Sequence, residues 1–396
     1  MRRTYVPLWL DAASRPSAGA FIALFSIEAW SRTILITLIP LQALKLLGDA
    51  QSVSLVYFIV SIFGLISTMV IPVVVHKIRR RWAFTLGGVL MLTALACYAS
   101  GDPMLFPIAL GCQVVATAFL EIVMNLFVLD HVPRTEIARF EPKRLLSVAA
   151  PFTFGPFLGV WLAENISLHA TYLMVAVNII LLLSFFWFLR LTENPAVTMP
   201  LKTPPNPFRY LPRFFAQPRL RLAWMLAIGR SAWWVMFFVY APIYLTSAGY
   251  SAETAGLIVS LGSVSLFLTI LWGAFGRKHG MRLLLIIGYA VAGLVTISIT
   301  FAGDWPTMVV ALIVLSAFSA AIVDGAGNIP FLRSVHSYER AEMTSVFVTY
   351  RHTAQIVTPG LFSVILSAFA LPAVFVAGGV CMLSMSLLSR YLPKKL

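Results

Sequence analysis

Apolar runs of about twenty residues recur along the chain from Gly19 to Leu392, separated by short clusters of glycine, proline and basic residues. At 1.5 Å per helical residue, each run is long enough to cross a hydrocarbon core of roughly 30 Å. The pattern predicts twelve spanning helices, near 18–46, 52–75, 83–100, 104–129, 145–164, 169–189, 222–247, 253–275, 283–302, 306–330, 343–369 and 372–391. The predicted class is therefore an all-α integral membrane protein. Gly101-Asp102-Pro103 and Gly303-Asp304-Trp305-Pro306 read as tight turns. The longest interruption, 191–220, is rich in proline from Pro195 to Pro218 and reads as a linker. It divides the chain into two groups of six helices, 1–190 and 221–396.

Composition agrees with this reading. Hydrophobic residues make up 60% of the chain and charged residues 11%, against about 25% charged in a soluble domain. The start of the chain lacks a short apolar core followed by a small-residue cleavage site, so no cleaved signal peptide is expected. Cys97, Cys112 and Cys381 lie within apolar runs, match no metal spacing and read as small packing residues.

The formal net charge of +14 suggests an anionic partner, but its distribution along the spans assigns it differently. If the termini share a side with every even-to-odd connection, that side holds 25 of the 29 Lys and Arg residues. The other side holds Lys45, and the remaining three lie inside spans. Such a split makes the basic side cytoplasmic. The basic loops then face anionic lipid headgroups, and nucleic acid is excluded as a partner. The expected location is multi-pass in a bacterial inner or plasma membrane, with cytoplasmic termini.

Six charges interrupt the apolar runs: Glu28, Arg32, Glu121, Arg230, Asp324 and Arg351. Each costs about 2.5–3.5 kcal/mol on membrane-insertion scales. Position along the spans places all six within roughly 10 Å of one another in depth. A water-accessible cavity explains them better than packing does. Glu28 and Arg32 share a helix face at i,i+4, as do Glu121 with Asn125, Asp324 with Asn328, and Arg351 with Gln355. Aromatic residues at similar depth, Trp30, Trp233, Trp234 and Tyr350, offer faces for an apolar or cationic ligand or for helix packing.

The two halves also align with each other. With Pro40 set on Pro242, Glu28 falls on Arg230. One further residue of shift puts Glu121 on Asp324, Asn125 on Asn328 and Pro156 on Pro359. Parallel repeats of six helices place a binding site near the midplane, at their interface.

Twelve spans as six plus six, with basic second–third and eighth–ninth connections, resemble the major facilitator superfamily. The family's Gly-x-x-x-Asp-Arg-x-Gly-Arg loop is degenerate here. Pro72 and His76 replace the first Gly and the Asp, followed by Lys77, Arg79 and Arg80. In the second half Gly273, Lys278, Gly280 and Arg282 fit, but Arg277 replaces the Asp. Gly155-Pro156-Phe157-Leu158-Gly159 in span 5 resembles part of a motif of the family's proton antiporters. The resemblance implies that the inward-facing helices include spans 1, 4, 7, 10 and 11, which carry all six charges.

The function expected is secondary active transport of a small organic or amphipathic molecule. It would be proton-coupled and alternate access between the two sides, in the direction of efflux by antiport. Glu28 and Asp324 are the candidates for the proton, and a functional monomer is expected. Inter-half salt bridges are the competing role for the six charges. The first alternative is proton-coupled uptake of an organic anion or zwitterion gripped by Arg32, Arg230 or Arg351. The second is a non-transporting membrane sensor. No nucleophile–base pair stands out at membrane depth, so an enzyme is not expected. No phosphate-binding loop or metal spacing appears, so no cofactor is expected.

Overall fold

The computed structural model describes residues 18–131, 134–189, 207–303, 305–336 and 339–393. The N-terminal arm, most of the expected linker and Asp304 lie outside the described residues, as do the side chains of Pro72 and His76.

Among the described residues sixteen α-helices follow one another and no strand occurs. They are α1 (Ala18–Leu47), α2 (Ala50–Ile78), α3 (Arg80–Ala99), α4 (Phe106–His131), α5 (Arg134–Asn165) and α6 (Leu168–Phe188). The chain continues with α7 (Pro207–Ala216), α8 (Pro218–Ser247), α9 (Ala252–Ser263), α10 (Thr269–His279) and α11 (Met281–Phe301). It ends with α12 (Pro306–Asp324), α13 (Ile329–Ser334), α14 (Arg340–Phe347), α15 (Tyr350–Leu366) and α16 (Ala373–Ser389).

Among the described residues ten runs are long and apolar enough to cross a membrane, counting α9–α10 and α12–α13 as one run each. The chain is a multi-pass integral membrane protein. The last two expected spans correspond to α15 and α16, of 17 residues each.

Local chemistry sets many of the boundaries. Asp49 caps α2, its carboxylate accepting from the Ser52 amide at 2.8 Å and the Ser52 hydroxyl at 2.7 Å. Those bonds hold the Asp49 carboxyl below its usual value. Ser167 and Ser251 accept from the amides of Ala170 and Thr254 and so cap α6 and α9. Pro218 and Pro306 open α8 and α12, where a missing N–H costs nothing.

Three expected spans are not continuous helices. The run 252–279 passes through a 3₁₀ stretch at Val264–Leu268, where the Ser265 hydroxyl leaves its own helix to bond the Ala317 carbonyl at 3.2 Å. The run 306–334 stops at Asp324 and restarts at Ile329. Gly325, Gly327 and Pro330 account for this: glycine weakens helix, and proline cannot bond back to the preceding turn. The run 340–366 breaks at Val348 and Thr349, and the Thr349 hydroxyl accepts from the Trp224 indole N–H at 3.1 Å.

By their internal contacts the residues fall into two compact units, Met1–Leu35 with Ile62–Pro200 and Ile36–Ser61 with Leu201–Leu396. Helices α1 and α2 thus each contribute to both. In the first unit α3 packs on α4 and α6, and α5 on α6. Gly155 and Gly159 of α5 let the backbones of α5 and α1 approach closely. A Cβ on Gly159 would overlap the carbonyl oxygen of Ile34.

In the second unit α11 packs on α12 and α16, α8 on α15 and α16, and α7 on α14. Tyr240 of α8 donates to Ser54 of α2 at 2.8 Å, with both side chains fully buried. Helix α7 buries Phe214 in an apolar cluster with Leu220, Phe331, Met343 and Phe347. Beside that cluster Glu339, 3% exposed, accepts from Arg213 and from the Gln217 amide at 3.0 Å. The Gln217 bond first, and then the Arg213 charge, keep the Glu339 carboxyl below its usual value despite its burial.

Candidate functional site

The six span charges form two groups, one in each unit. In the first unit Glu28 is 4% exposed and lies on α1 one turn before Arg32. The Arg32 Nη2 stands 3.5 Å from Glu28 Oε2, and its guanidinium carbon lies 5.7 Å from the centre of the Phe152 ring. The Arg32 side chain is one-third exposed, yet its Nε is buried and makes no hydrogen bond. Glu121 on α4 is half-buried and near enough for its charge to act on Glu28. Asn125 is exposed on the same helix, and Trp30 is half-buried on α1.

Polar contacts fix the orientation of α1 at this point. Asn178 of α6 donates to the Ile27 carbonyl at 2.7 Å and to the Ser31 hydroxyl at 2.6 Å. The Ser26 hydroxyl donates to the Ser147 carbonyl of α5 at 3.3 Å. Glu28 and Arg32 therefore sit on a helix held from two sides.

In the second unit the centre is Arg230 of α8. Its Nε lies 3.6 Å from Asp324 Oδ1, the last residue of α12. Its Nη1 donates to the Gly327 carbonyl at 2.8 Å and its Nη2 to Asn328 Oδ1 at 3.2 Å. The ring of Tyr350 lies 5.9 Å from its guanidinium carbon. Asp324 Oδ2 accepts from the Trp234 indole N–H at 2.7 Å. Two residues that interrupt helices, Gly327 and Asn328, thus become acceptors for an arginine at membrane depth. The amides of Gly325, Ala326 and Gly327 take the last carbonyls of α12, and Arg230 takes the Gly327 carbonyl beyond them.

Arg351 and Gln355 are exposed on α15, and Arg351 Nε donates to the Tyr350 hydroxyl at 3.2 Å. Trp233, proposed above as a cavity aromatic, is 2% exposed. It stacks on Phe237 and donates to the Thr296 hydroxyl of α11 at 3.0 Å, so it serves helix packing. Trp234, next along the chain, is the one that reaches the acid.

Repeat symmetry set Glu28 against Arg230 and Glu121 against Asp324. The structure pairs Glu28 with Arg32 on one helix, and Arg230 with Asp324 across two. Sequence reasoning did not single out Asn178, Gly327 or Glu339. The signal for Gly327 was available in Asp324-Gly325-Ala326-Gly327-Asn328, where two glycines interrupt an apolar run.

Multiple apolar helices, paired charges within them and helices broken beside those charges define a polytopic helical membrane protein with a buried polar layer. The family model of the major facilitator superfamily matches residues 21–301, and the chain belongs to that superfamily. No curated relative matches it at the level of sequence. Among solved structures, the nucleoside transporter NupG is 16% identical, with a TM-score of 0.75 over 95% of this chain and 98% of its own. A D-xylose-proton symporter is 13% identical, with a TM-score of 0.75 over 96% and 98%. A POT family transporter in complex with 5-aminolevulinic acid is 14% identical, with a TM-score of 0.72 over 93% and 94%. At these identities the likeness establishes the fold.

Proposed function

We propose that the chain is a proton-coupled secondary transporter of a small organic molecule, in which Asp324 takes up the proton and Arg230 holds the acid ionised between turnovers. The observation that carries this is the divided attention of Arg230. Its Nε–Asp324 contact is long, 3.6 Å, while its two terminal nitrogens bond backbone and amide oxygens of the helix break. A shift of the break therefore moves Arg230 away from Asp324 without leaving the guanidinium unpaired. Asp324 is preferred over Glu28 because Glu28 and Arg32 ride on one continuous helix and cannot be separated by a movement between helices.

The finer features are part of the same proposal. Twelve crossings in two groups of six alternate access to the two sides, with termini and basic loops in the cytoplasm and one chain as the working unit. We assign the direction as efflux by antiport, supported by Gly155-Pro156-Phe157-Leu158-Gly159 and by the indole–carboxylate contact of Trp234 with Asp324. Uptake of an organic anion or zwitterion is the second reading, and the partly exposed Arg32 side chain favours it.

The test is flux in proteoliposomes. A ligand found by thermal shift, since a molecule binding only the folded state raises stability, is loaded and a pH gradient imposed. Flux that follows the sign of the gradient supports proton coupling, and flux indifferent to the gradient refutes it. Accumulation or extrusion against that gradient decides the direction.

A further inference from the structure

Tyr289 of α11 is 1% exposed, and its hydroxyl donates to the Leu226 carbonyl of α8 at 2.5 Å. In an α-helix that carbonyl is the one bonded by the amide of residue 230, four positions on. A buried tyrosine on a neighbouring helix thus grips α8 one turn before its arginine. The titratable groups that face Tyr289 are Arg230, Asp324 and, from α16, Cys381. Tyr289 also borders a cavity of about 10 Å³, which Leu226, Arg230, Gly327, Asn328 and Phe331 help to line. A space of that size takes about one water, provided that two to four polar groups meet it.

The polar groups at this cavity have bonding capacity left over. Tyr289 commits its one hydrogen to Leu226, so its oxygen remains as an acceptor. Arg230 has five N–H donors and four polar neighbours, Asp324, Gly327, Asn328 and Tyr350. Asn328 receives Arg230 on its side-chain oxygen, which leaves its amide nitrogen to donate. A water both donates and accepts, so it complements the tyrosine oxygen on one side and these N–H groups on the other. Gly327 and Asn328 are exposed, which gives so small a molecule a way in.

We propose that the cavity binds one water between the Tyr289 hydroxyl and the Arg230 guanidinium, and that Arg230 turns to this water when Asp324 is neutral. The second clause rests on the reading of Asp324 as the acid that takes up the proton. A protonated Asp324 no longer compensates the guanidinium, and a buried donor left without a partner is costly. A water held by Tyr289 avoids that loss with no movement of the backbone. Tyr289 is then a positioning residue, which acts on Arg230 through the water.

The site is tested by a high-resolution map of the purified full-length protein from electron cryo-microscopy. An ordered water within hydrogen-bonding distance of Tyr289 Oη and of Arg230 is expected, and none there in Tyr289→Phe. A map that shows other buried waters but none here overturns the inference, whether or not the variant folds. So does a water that persists in Tyr289→Phe. Thermal unfolding tests the role. Tyr289→Phe should lower the unfolding temperature roughly twice as much in Asp324→Asn, which imitates the neutral acid, as in the wild type. An equal or smaller fall would mean that Tyr289 only packs, and would overturn the role given to the water. The two proposals fail separately. An ordered water with flux indifferent to the pH gradient removes the proton-coupling reading alone. Flux that follows the gradient, with no water at Tyr289, removes this inference alone.

Discussion

Arg230 donates from Nη1 to the carbonyl oxygen of Gly327 at 2.8 Å, in the turn that follows a helix stopping at Asp324 within an apolar run. The same side chain is the counter-charge of Asp324. One residue thus holds both the acid and the break that positions it.

The break depends on residues without side chains. Gly327 has a φ of 51°, in the left-handed region, and a Cβ on Gly325 would press on Trp272 and the Gly273 backbone. Gly325→Val should destabilise by about 1–3 kcal/mol through overpacking. Gly327→Ala should cost about 1–2 kcal/mol through its backbone angle. Thermal unfolding of the two variants checks both values, and Gly325→Val should also weaken flux because it displaces the helix break.

The ion pair itself should behave as a unit. The Arg230 and Asp324 side chains are 12% and 18% exposed. Removing one partner leaves the other charge poorly solvated, a loss of up to about 3–5 kcal/mol for a fully buried pair. Arg230→Gln and Asp324→Asn should each destabilise, and the double variant by clearly less than their sum. Additive losses would show that the two residues do not interact.

In the second unit, Glu339 is held below its usual value of 4.5 by Gln217 and then Arg213. A carboxyl lowered on folding stabilises the native state above its unfolded value, and that contribution is lost as pH falls through the folded value. Unfolding temperatures of the wild type and of Glu339→Gln, compared from pH 7 down to pH 3, should therefore converge on acidification. A constant gap would mean that the Arg213–Glu339–Gln217 contact adds nothing that titrates.

Arg79 stands at a motif position where the second half has Gly280. Both are left-handed, with φ of 63° and 100°. A non-glycine residue there costs roughly 1–2 kcal/mol. Arg79→Gly should be more stable than Arg79→Ala by about 1 kcal/mol, measured by denaturant or heat. Equal stabilities would mean that the turn relaxes once the arginine is gone.

The apolar runs located the helices because helices at membrane depth must satisfy every backbone group internally, which leaves a long unbroken signature. They did not show where helices break. Glu121-Ile122-Val123-Met124-Asn125 and Asp324-Gly325-Ala326-Gly327-Asn328 align as repeats. The first runs on as helix, whereas the second, with two glycines, stops. Spacing along one helix exposed the Glu28–Arg32 pair. The Arg230–Asp324 and Trp234–Asp324 contacts join residues about ninety positions apart, and no periodicity reports such contacts. Gly155-Pro156-Phe157-Leu158-Gly159 was legible as a close-packing device, and its glycines lie against Thr33 and Ile34 of α1.

The most direct measurement is proton movement into or out of proteoliposomes, followed with a pH-sensitive dye as substrate is added. If Asp324 is the coupling acid, the wild type moves protons with substrate. Asp324→Asn should move none while still exchanging labelled for unlabelled substrate across the membrane. Proton movement that persists in Asp324→Asn would contradict that role and transfer the coupling to another acid.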